Sequence, residues 1–318
     1  MPKTYLHNLR DFNALLRIVG EERNILPGLV EKDYWIMHVL YGLKKMNYEF
    51  ELKGGTSLSK GYGIIDRFSE DIDIHIKPPV EFKINENPNN IKPATIESRK
   101  NFYEWLSRDI TIDGIIAVER DTVFDDVKFR SGGIRLFYNP IAEKISGIKE
   151  GILLEAGFDD VTPNHSKTIS SWAYDKAITN NNINILDNRA NDIICYDQSY
   201  TFVEKLQTIA TKFRKESVDA KSRPSNFMRQ YYDVYCLLAN AEVQEFIGTK
   251  AYETHKKRRF PKIDFEIPIA QNEAFLLNDK TIRADFEKRY KETESLYYNG
   301  QPPFEELLKR IRQNINRL

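Results

Sequence analysis

Leu29, Ile36, Val39, Leu40 and Leu43 recur at helical spacing behind Pro27, a residue suited to the first turn of a helix, and predict a helix over 27–47. A shorter helix is read over 10–21. Tyr48 to Leu52 alternates and is rich in aromatic residues, which is a strand pattern, and it runs into Gly54-Gly55, the mark of a tight turn. A short helix follows from Ser57. The stretch Asp71-Ile72-Asp73-Ile74-His75-Ile76 alternates polar and apolar strictly, a second strand. Four prolines and four asparagines between Pro78 and Pro93 make that stretch a loop. Beyond it the pattern predicts a helix over 96–109 and strands over 115–119, 133–138 and 151–158. The remainder reads as largely helical, over 200–216, 224–239, 268–292 and 303–316. Trp35, Trp105 and Trp172 read as core.

This order predicts an α+β architecture, with a mixed sheet flanked by helices over 1–198 and a helical domain over 199–318. A length of 318 residues leaves room for two domains. Lys+Arg and Asp+Glu are 47 each, so attraction to a polyanion has to come from local clusters and not from net charge. The two cysteines, Cys195 and Cys236, argue against a disulfide scaffold and a Cys-type zinc site. No run of 18 apolar residues occurs, and the N-terminus lacks the apolar core of a signal peptide. The expectation is a cytoplasmic protein with no membrane partner.

Candidate chemistry is concentrated in residues 53–76, KGGTSLSKGYGIIDRFSEDIDIHI. Gly54 and Gly55 put no Cβ between the main chain and a ligand. Thr56 and Ser57 are suited to cap the next helix, whose free N–H groups favour a phosphate. Asp71 and Asp73 lie two apart on a strand, so both carboxylates project from one face. Such a pair suits Mg²⁺, a hard cation that takes oxygen ligands and accompanies phosphates; Mn²⁺ is an alternative. A phosphate cradle beside a divalent-metal pair is what phosphoryl or nucleotidyl transfer requires. Each feature alone is commonplace, since D-x-D is often a solvated strand face and Gly-Gly only a turn. Their order is specific, and it is neither a Walker A loop nor a Rossmann turn.

Gly55-Thr56 followed by Asp71-x-Asp73 resembles the signature of the polymerase-β-type nucleotidyltransferase superfamily. The fuller text GGTSLSKGYGIIDRFSEDIDI resembles the AbiEii/AbiGii (MenT-like) toxin nucleotidyltransferases of bacterial toxin–antitoxin and abortive-infection systems. Glu31-Lys32-Asp33-Tyr34 resembles that family's opening, Phe202 to Leu206 its F-x-x-K-L helix, Arg229 to Asp233 its R-H-x-x-D helix, and SLYYNGQPPFEELLKRI its closing segment. The resemblance spans roughly 27–318. Gln230 stands where many members have His, and the 14 residues between Thr56 and Asp71 suit the subfamily better than the superfamily.

The resemblance implies a nucleotidyltransferase-type sheet followed by a helical domain that completes the nucleotide and acceptor cleft. It implies transfer of NMP from an NTP, with release of pyrophosphate and with Mg²⁺ held by Asp71 and Asp73. The superfamily's third carboxylate is assigned to Glu155, an acid in an otherwise apolar strand, with Asp159 and Asp160 as competitors. Gly54, Gly55, Thr56, Ser57, Arg67 and Ser69 are expected at the nucleotide. Lys205 would meet the triphosphate, and Asp233 would orient Lys205 or a water. Arg229 shares Asp233's helical face, where an ordinary i,i+4 pair would look the same. His75 shares the aspartates' face and reads as a hydrogen-bonded rim residue rather than a ligand. In related toxins a serine at the position of Ser69 is a target of an antitoxin-type kinase, and a phosphate there would add about −2 charge beside Asp71.

Seven Lys/Arg (205, 212, 214, 215, 221, 223, 229) against Glu216 and Asp219 form one basic run, and His255-Lys256-Lys257-Arg258-Arg259 a second. Such runs suit a phosphate backbone, although a solvated helical face looks the same. With the family relation they point to RNA, tRNA first, as the acceptor, and to a cognate antitoxin as partner. Nucleotidyl transfer to a protein hydroxyl and a non-catalytic NTP-binding regulatory module are the alternatives.

Overall fold

The computed structural model describes residues 3–145, 147–179, 184–219, 223–224 and 227–318. The chain divides into two compact units, Met1–Gly61 with Ser69–Tyr196, and Tyr62–Phe68 with Asp197–Leu318. The short stretch Tyr62–Phe68, kept in the first domain by the sequence reading, is thus grouped with the second.

The first unit runs α1 (Phe12–Arg23), α2 (Pro27–Lys45), β1 (Phe50–Lys53), α3 (Gly54–Thr56), β2 (Asp71–Ile76), α4 (Pro93–Asp109), β3 (Ile115–Arg120), β4 (Ser131–Tyr138), β5 (Ile152–Gly157), β6 (Asn164–Ile169), α5 (Trp172–Ile178) and β7 (Ala190–Tyr196). The strands form one mixed sheet in the order β3-β4-β5-β2-β1-β7-β6. At its centre β2 pairs antiparallel with β1 and parallel with β5. Alternation sets the two faces apart. Leu52, Ile72, Ile74, Ile134, Leu136, Leu154 and Ala156 share one face and are fully buried. Gly132 keeps room on that face for α4, because a Cβ there would stand 2.7 Å from the Tyr103 ring. The opposite face carries Lys53, Asp71, Asp73 and Glu155.

The expected strands near 50, 71, 115, 133 and 152 are all present, with small shifts of their ends. Two strands and a helix escaped the pattern. β6 reads NHSKTI and is an edge strand with only Ile169 buried, so it carries no apolar alternation. The expected Gly-Gly turn is also corrected. Gly54 and Gly55 are themselves the first residues of α3, which continues as a π-helical turn over Ser57–Gly61. Of the three tryptophans, Trp35 is core, while Trp105 and Trp172 are half-buried. Trp172 lies under the Arg23 and Lys60 cations, at 5.3 and 5.2 Å.

The second unit is helical: α6 (Gln198–Val218), α7 (Arg229–Leu237), α8 (Ala241–Phe246), α9 (Lys250–Arg259), α10 (Lys262–Phe265), α11 (Glu273–Leu276), α12 (Lys280–Lys291) and α13 (Phe304–Asn314). The single helix expected over 268–292 is broken. Asn272 caps α11, Leu277 takes a left-handed conformation, and Asp279 accepts from Thr281 N and Ile282 N to start α12. No helix of the described residues is long and apolar enough to cross a membrane.

Gly42 offers a test of the packing under α2. Helix propensity alone would favour alanine there by about 1 kcal/mol. A Cβ, however, would stand 2.6 Å from Ile112 Cγ1. Overpacking of that kind costs about 1–3 kcal/mol, so Gly42→Ala is expected to lower the urea unfolding midpoint. An unchanged or raised midpoint would show that Ile112 moves aside freely.

Candidate active site

Sheet register builds the acidic half of the site, in the first unit. Asp73 is the cross-strand partner of Lys53 on β1 and of Glu155 on β5, and Glu155 in turn is opposite Gly133 on β4. Directly paired residues share a face, so Lys53, Asp73 and Glu155 stand in one row, with Asp71 on the same face two residues earlier. Glu155 feels the crowding most. Burial and the neighbouring Asp73 and Asp71 push its carboxyl up to about 8, against the opposing pull of Lys53 and Lys149. Asp159 and Asp160 lie beyond the end of β5 and are exposed. Asp159 meets Lys53 Nζ at 3.3 Å, and Asp160 accepts from the Thr162 hydroxyl at 2.8 Å. Glu155 is therefore the acid that the strand sets beside Asp73.

Gly54 is required at this point for a physical reason. Its φ is +71°, and a Cβ would come within 2.2 Å of Asp73 Oδ2, so the carboxylate packs directly on the glycine main chain. Gly55 follows, buried. The expected capping by Thr56 and Ser57 is not what these side chains do. Lys53 occupies the N-cap position without a side-chain cap, and the Thr56 hydroxyl donates to the main-chain carbonyl of Asp71 at 2.5 Å. Thr56 thereby ties α3 to the first residue of β2. The Ser57 hydroxyl is buried beside the Cys195 thiol. Ser69 is half-buried just ahead of Asp71. His75 Nδ1 bonds Glu51 Oε2 at 2.5 Å, as a rim residue does.

Several further charged groups surround this face. Three consecutive charges on α2 are buried. Glu31 accepts from Ile141 N and Ala142 N, Lys32 donates to the Lys149 carbonyl at 2.7 Å, and Asp33 accepts from Lys60 Nζ at 2.7 Å and from Trp172 N at 2.8 Å. A charged triplet in the middle of an apolar helix was the available signal. Arg135, a cation in an otherwise apolar strand, offered the same signal as Glu155, whereas Lys53 and Lys149 offered none. Arg135 is held by Asp121, through Nη2 at 2.6 Å, and donates from Nη1 to Glu150 O at 2.9 Å.

The second unit carries the other expected residues, around a buried aspartate. Asp233 takes Arg67 Nε at 2.6 Å on Oδ1, and Arg67 Nη2 at 2.7 Å and Lys205 Nζ at 2.9 Å on Oδ2. Burial alone would raise its carboxyl. The two cations outweigh burial and hold it down to about 2. The guanidinium of Arg67, a residue expected at the nucleotide, is buried, spans Asp233 and also donates to Phe68 O. The family's closing segment anchors the same stretch: Arg67 bridges Tyr297, Phe68 N donates to Leu296 O at 2.7 Å, and Tyr298 donates to Ile65 O at 3.0 Å.

The basic runs are less free than their sequence suggests. Arg214 pairs with Asp264, Arg223 with Glu216 and Asp285, and Arg259 with Glu204. His255 is buried, and Lys256 donates to the carbonyl of Leu318. Lys221 lies outside the described residues.

The acidic row fits a hard divalent cation. Its donors are all carboxylate oxygens, three on one sheet face, and their mutual repulsion is relieved by a positive ion among them. Among the described residues no three His, Cys, Asp or Glu side chains are gathered so as to hold a metal ion together. The carboxylates stand side by side on one face, an arrangement that their like charges disfavour.

A family model for the AbiEii nucleotidyltransferase toxin of type IV toxin–antitoxin systems matches residues 38–310, a span that includes Asp71, Asp73, Glu155, Lys205 and Asp233. Among solved structures the chain is similar to MenT4, a nucleotidyltransferase toxin from Mycobacterium tuberculosis H37Rv, with 14% identity over 96% of this chain and 95% of that one and a TM-score of 0.49. A search of curated proteins gave no match.

Asp233→Ala would leave Arg67 and Lys205 buried without their anion and is expected to cost about 3–5 kcal/mol in urea unfolding. The depressed carboxyl adds a pH signature. An unfolded aspartate titrates near ~3.9, so this stabilisation is complete above about pH 4 and lost as the pH falls towards 2. Asp233→Asn should flatten that acid limb. A variant that unfolds as the wild type does at both pH values would contradict the assignment.

Proposed function

The chain belongs to the AbiEii family of nucleotidyltransferase toxins of type IV toxin–antitoxin systems, and from that premise we propose that it transfers NMP from an NTP to RNA in a Mg²⁺-dependent reaction, with tRNA 3′ ends as the favoured acceptor. The observation that carries this reading is the register that sets Glu155 beside Asp73, with Asp71 on the same face. Mg²⁺ or Mn²⁺ held by these three carboxylates would supply charge neutralisation of the triphosphate. Gly54 keeps Asp73 against the main chain, and Thr56 fixes α3 to β2, so the carboxylates are held in place before substrate arrives. In the transfer itself the acceptor hydroxyl oxygen bonds to the α-phosphorus while the bond to the pyrophosphate oxygen breaks. Glu155, in its ionised form, would take the hydroxyl proton. Lys205, oriented by Asp233, would meet the triphosphate as a point charge.

Membership of a type IV system implies a cognate antitoxin. Phosphorylation of Ser69 is one route by which it would act, since added negative charge beside Asp71 repels both metal and NTP. The internal pairing of Arg214, Arg223 and Arg259 favours a second reading, transfer to a protein hydroxyl, because it removes part of the basic surface on which an RNA acceptor would rest.

Incubation of purified protein with Mg²⁺, each α-³²P-NTP in turn and total bacterial RNA tests the reading. A labelled tRNA-sized band is expected with the wild type, and a loss of at least about 100-fold in Asp71→Asn and Asp73→Asn. Label in protein alone would favour the second reading. Bound NTP with no label anywhere would leave a regulatory nucleotide-binding module.

A further inference from the structure

Asp33 is only 1% exposed, and both of its carboxylate oxygens are used. Oδ1 takes Lys60 Nζ at 2.7 Å, and Oδ2 takes Trp172 N at 2.8 Å. The same ammonium lies 5.2 Å from the centre of the Trp172 ring, so Lys60 has both an anion and an aromatic face against it. The support is itself fixed. Arg23 of α1 lies 5.3 Å from the centre of that ring, and Glu22 of α1 pairs with Lys176 of α5. Asp33 thus joins α2 and the start of α5 to a single lysine.

That lysine stands in a sensitive place. It belongs to the Ser57–Gly61 π-helical turn, which continues α3 without a break. A π turn is uncommon, and a helical stretch this short has little stability of its own. Polar contacts grip it at both ends. Thr56 donates to the Asp71 carbonyl near the start, and Lys60 reaches Asp33 near the end. At the very start is Gly54, the main-chain surface on which Asp73 Oδ2 packs so closely that no Cβ fits between them. A shift of residues 54–61 therefore moves the surface under Asp73. Stability alone does not call for charges at this clamp, because an apolar pair of similar volume holds a fold as well as a buried ion pair does. The ion pair adds a fixed direction and length.

We propose that Asp33 and Lys60 are positioning residues of the transfer reaction: together they hold residues 54–61 where Gly54 keeps Asp73 in the acidic row. The proposal rests on the nucleotidyltransferase reading above and extends its site to a residue of α2 that acts only through others. The chain of contacts is short. Asp33 sets Lys60, Lys60 sets the turn, and the turn carries the glycine that Asp73 lies on. Supporting groups of this kind tune a metal-binding carboxylate without touching the metal.

The test measures binding apart from turnover, as Mn²⁺ affinity by electron paramagnetic resonance with a non-hydrolysable NTP, below the unfolding midpoint of every variant. Asp33→Asn keeps the size of the side chain but turns an amide N–H₂ towards one of its two donors. Lys60→Met removes the cation at a half-buried position and keeps the test open where Asp33→Asn does not fold. Each should lower Mn²⁺ affinity about tenfold. The double variant should lose no more than either single one, because the pair acts as one unit. Lys60→Arg retains a cation for Asp33 and for the Trp172 ring and should recover most of the loss. Gly42→Ala, which strains α2 away from the turn, separates positioning from stability and should bind as the wild type does. Wild-type affinity in both Asp33→Asn and Lys60→Met would overturn the positioning role and leave the nucleotidyltransferase reading standing. An equal loss in Gly42→Ala would also overturn it, since the effect would then be one of stability. Absence of Mn²⁺ and NTP binding in the wild type would remove the nucleotidyltransferase reading and the positioning role with it.

Discussion

Three carboxylates on one face of a sheet repel one another, and the first unit is organised around holding them together. The backbone does this through register. With β2 parallel to β5, Asp73 and Glu155 are neighbours whatever their side chains prefer. The cost shows at Glu155, whose carboxyl is pushed up to about 8 by burial and by the two aspartates. Local chemistry then keeps the pair from splaying: Gly54 gives Asp73 a main-chain surface to lie on, and Thr56 ties the preceding helix to Asp71. An acidic row maintained at that cost makes chemical sense as the seat of a divalent cation.

Buried charge recurs on α2 and round Asp233, with a different purpose in each place. On α2, Glu31 and Lys32 reach the two ends of the β4–β5 connection and Asp33 reaches Lys60 and Trp172, so one helical turn fixes that connection, the end of the Ser57–Gly61 turn and the start of α5. Round Asp233, a single carboxylate gathers Arg67 from the short stretch before β2 and Lys205 from α6. Both arrangements are expensive unless fully paired, which makes each residue in them hard to replace.

The central strands and the acid pair were legible because alternation and a Gly-Gly-Thr-Ser lead-in are local patterns. Glu155 was legible as an acid in an apolar strand, and the buried Glu31-Lys32-Asp33 run was visible although its role was not. What escaped depends on distant partners or on weak local signal. Arg67 meets Asp233 across 166 positions of sequence, and no local pattern reports that pairing. The edge strand β6 is too polar to alternate. The helix α9 buries only Tyr252 and His255, which is why its residues read as a basic cluster and not as a packed helix. The same distant pairing explains the basic run over 205–229, where Arg214 finds Asp264 on α10 and Arg223 finds Glu216 on α6 and Asp285 on α12.

Mn²⁺ binding followed by electron paramagnetic resonance would show whether the acidic row holds a divalent cation. Mn²⁺ stands in for Mg²⁺, and binding is measured with a non-hydrolysable NTP present in wild type, Asp73→Asn and Glu155→Gln. The account predicts one or two bound ions in the wild type and affinity lower by at least about tenfold in each variant, with unfolding midpoints not reduced. Wild-type affinity retained in both variants would contradict it and place the metal, if one is used, elsewhere.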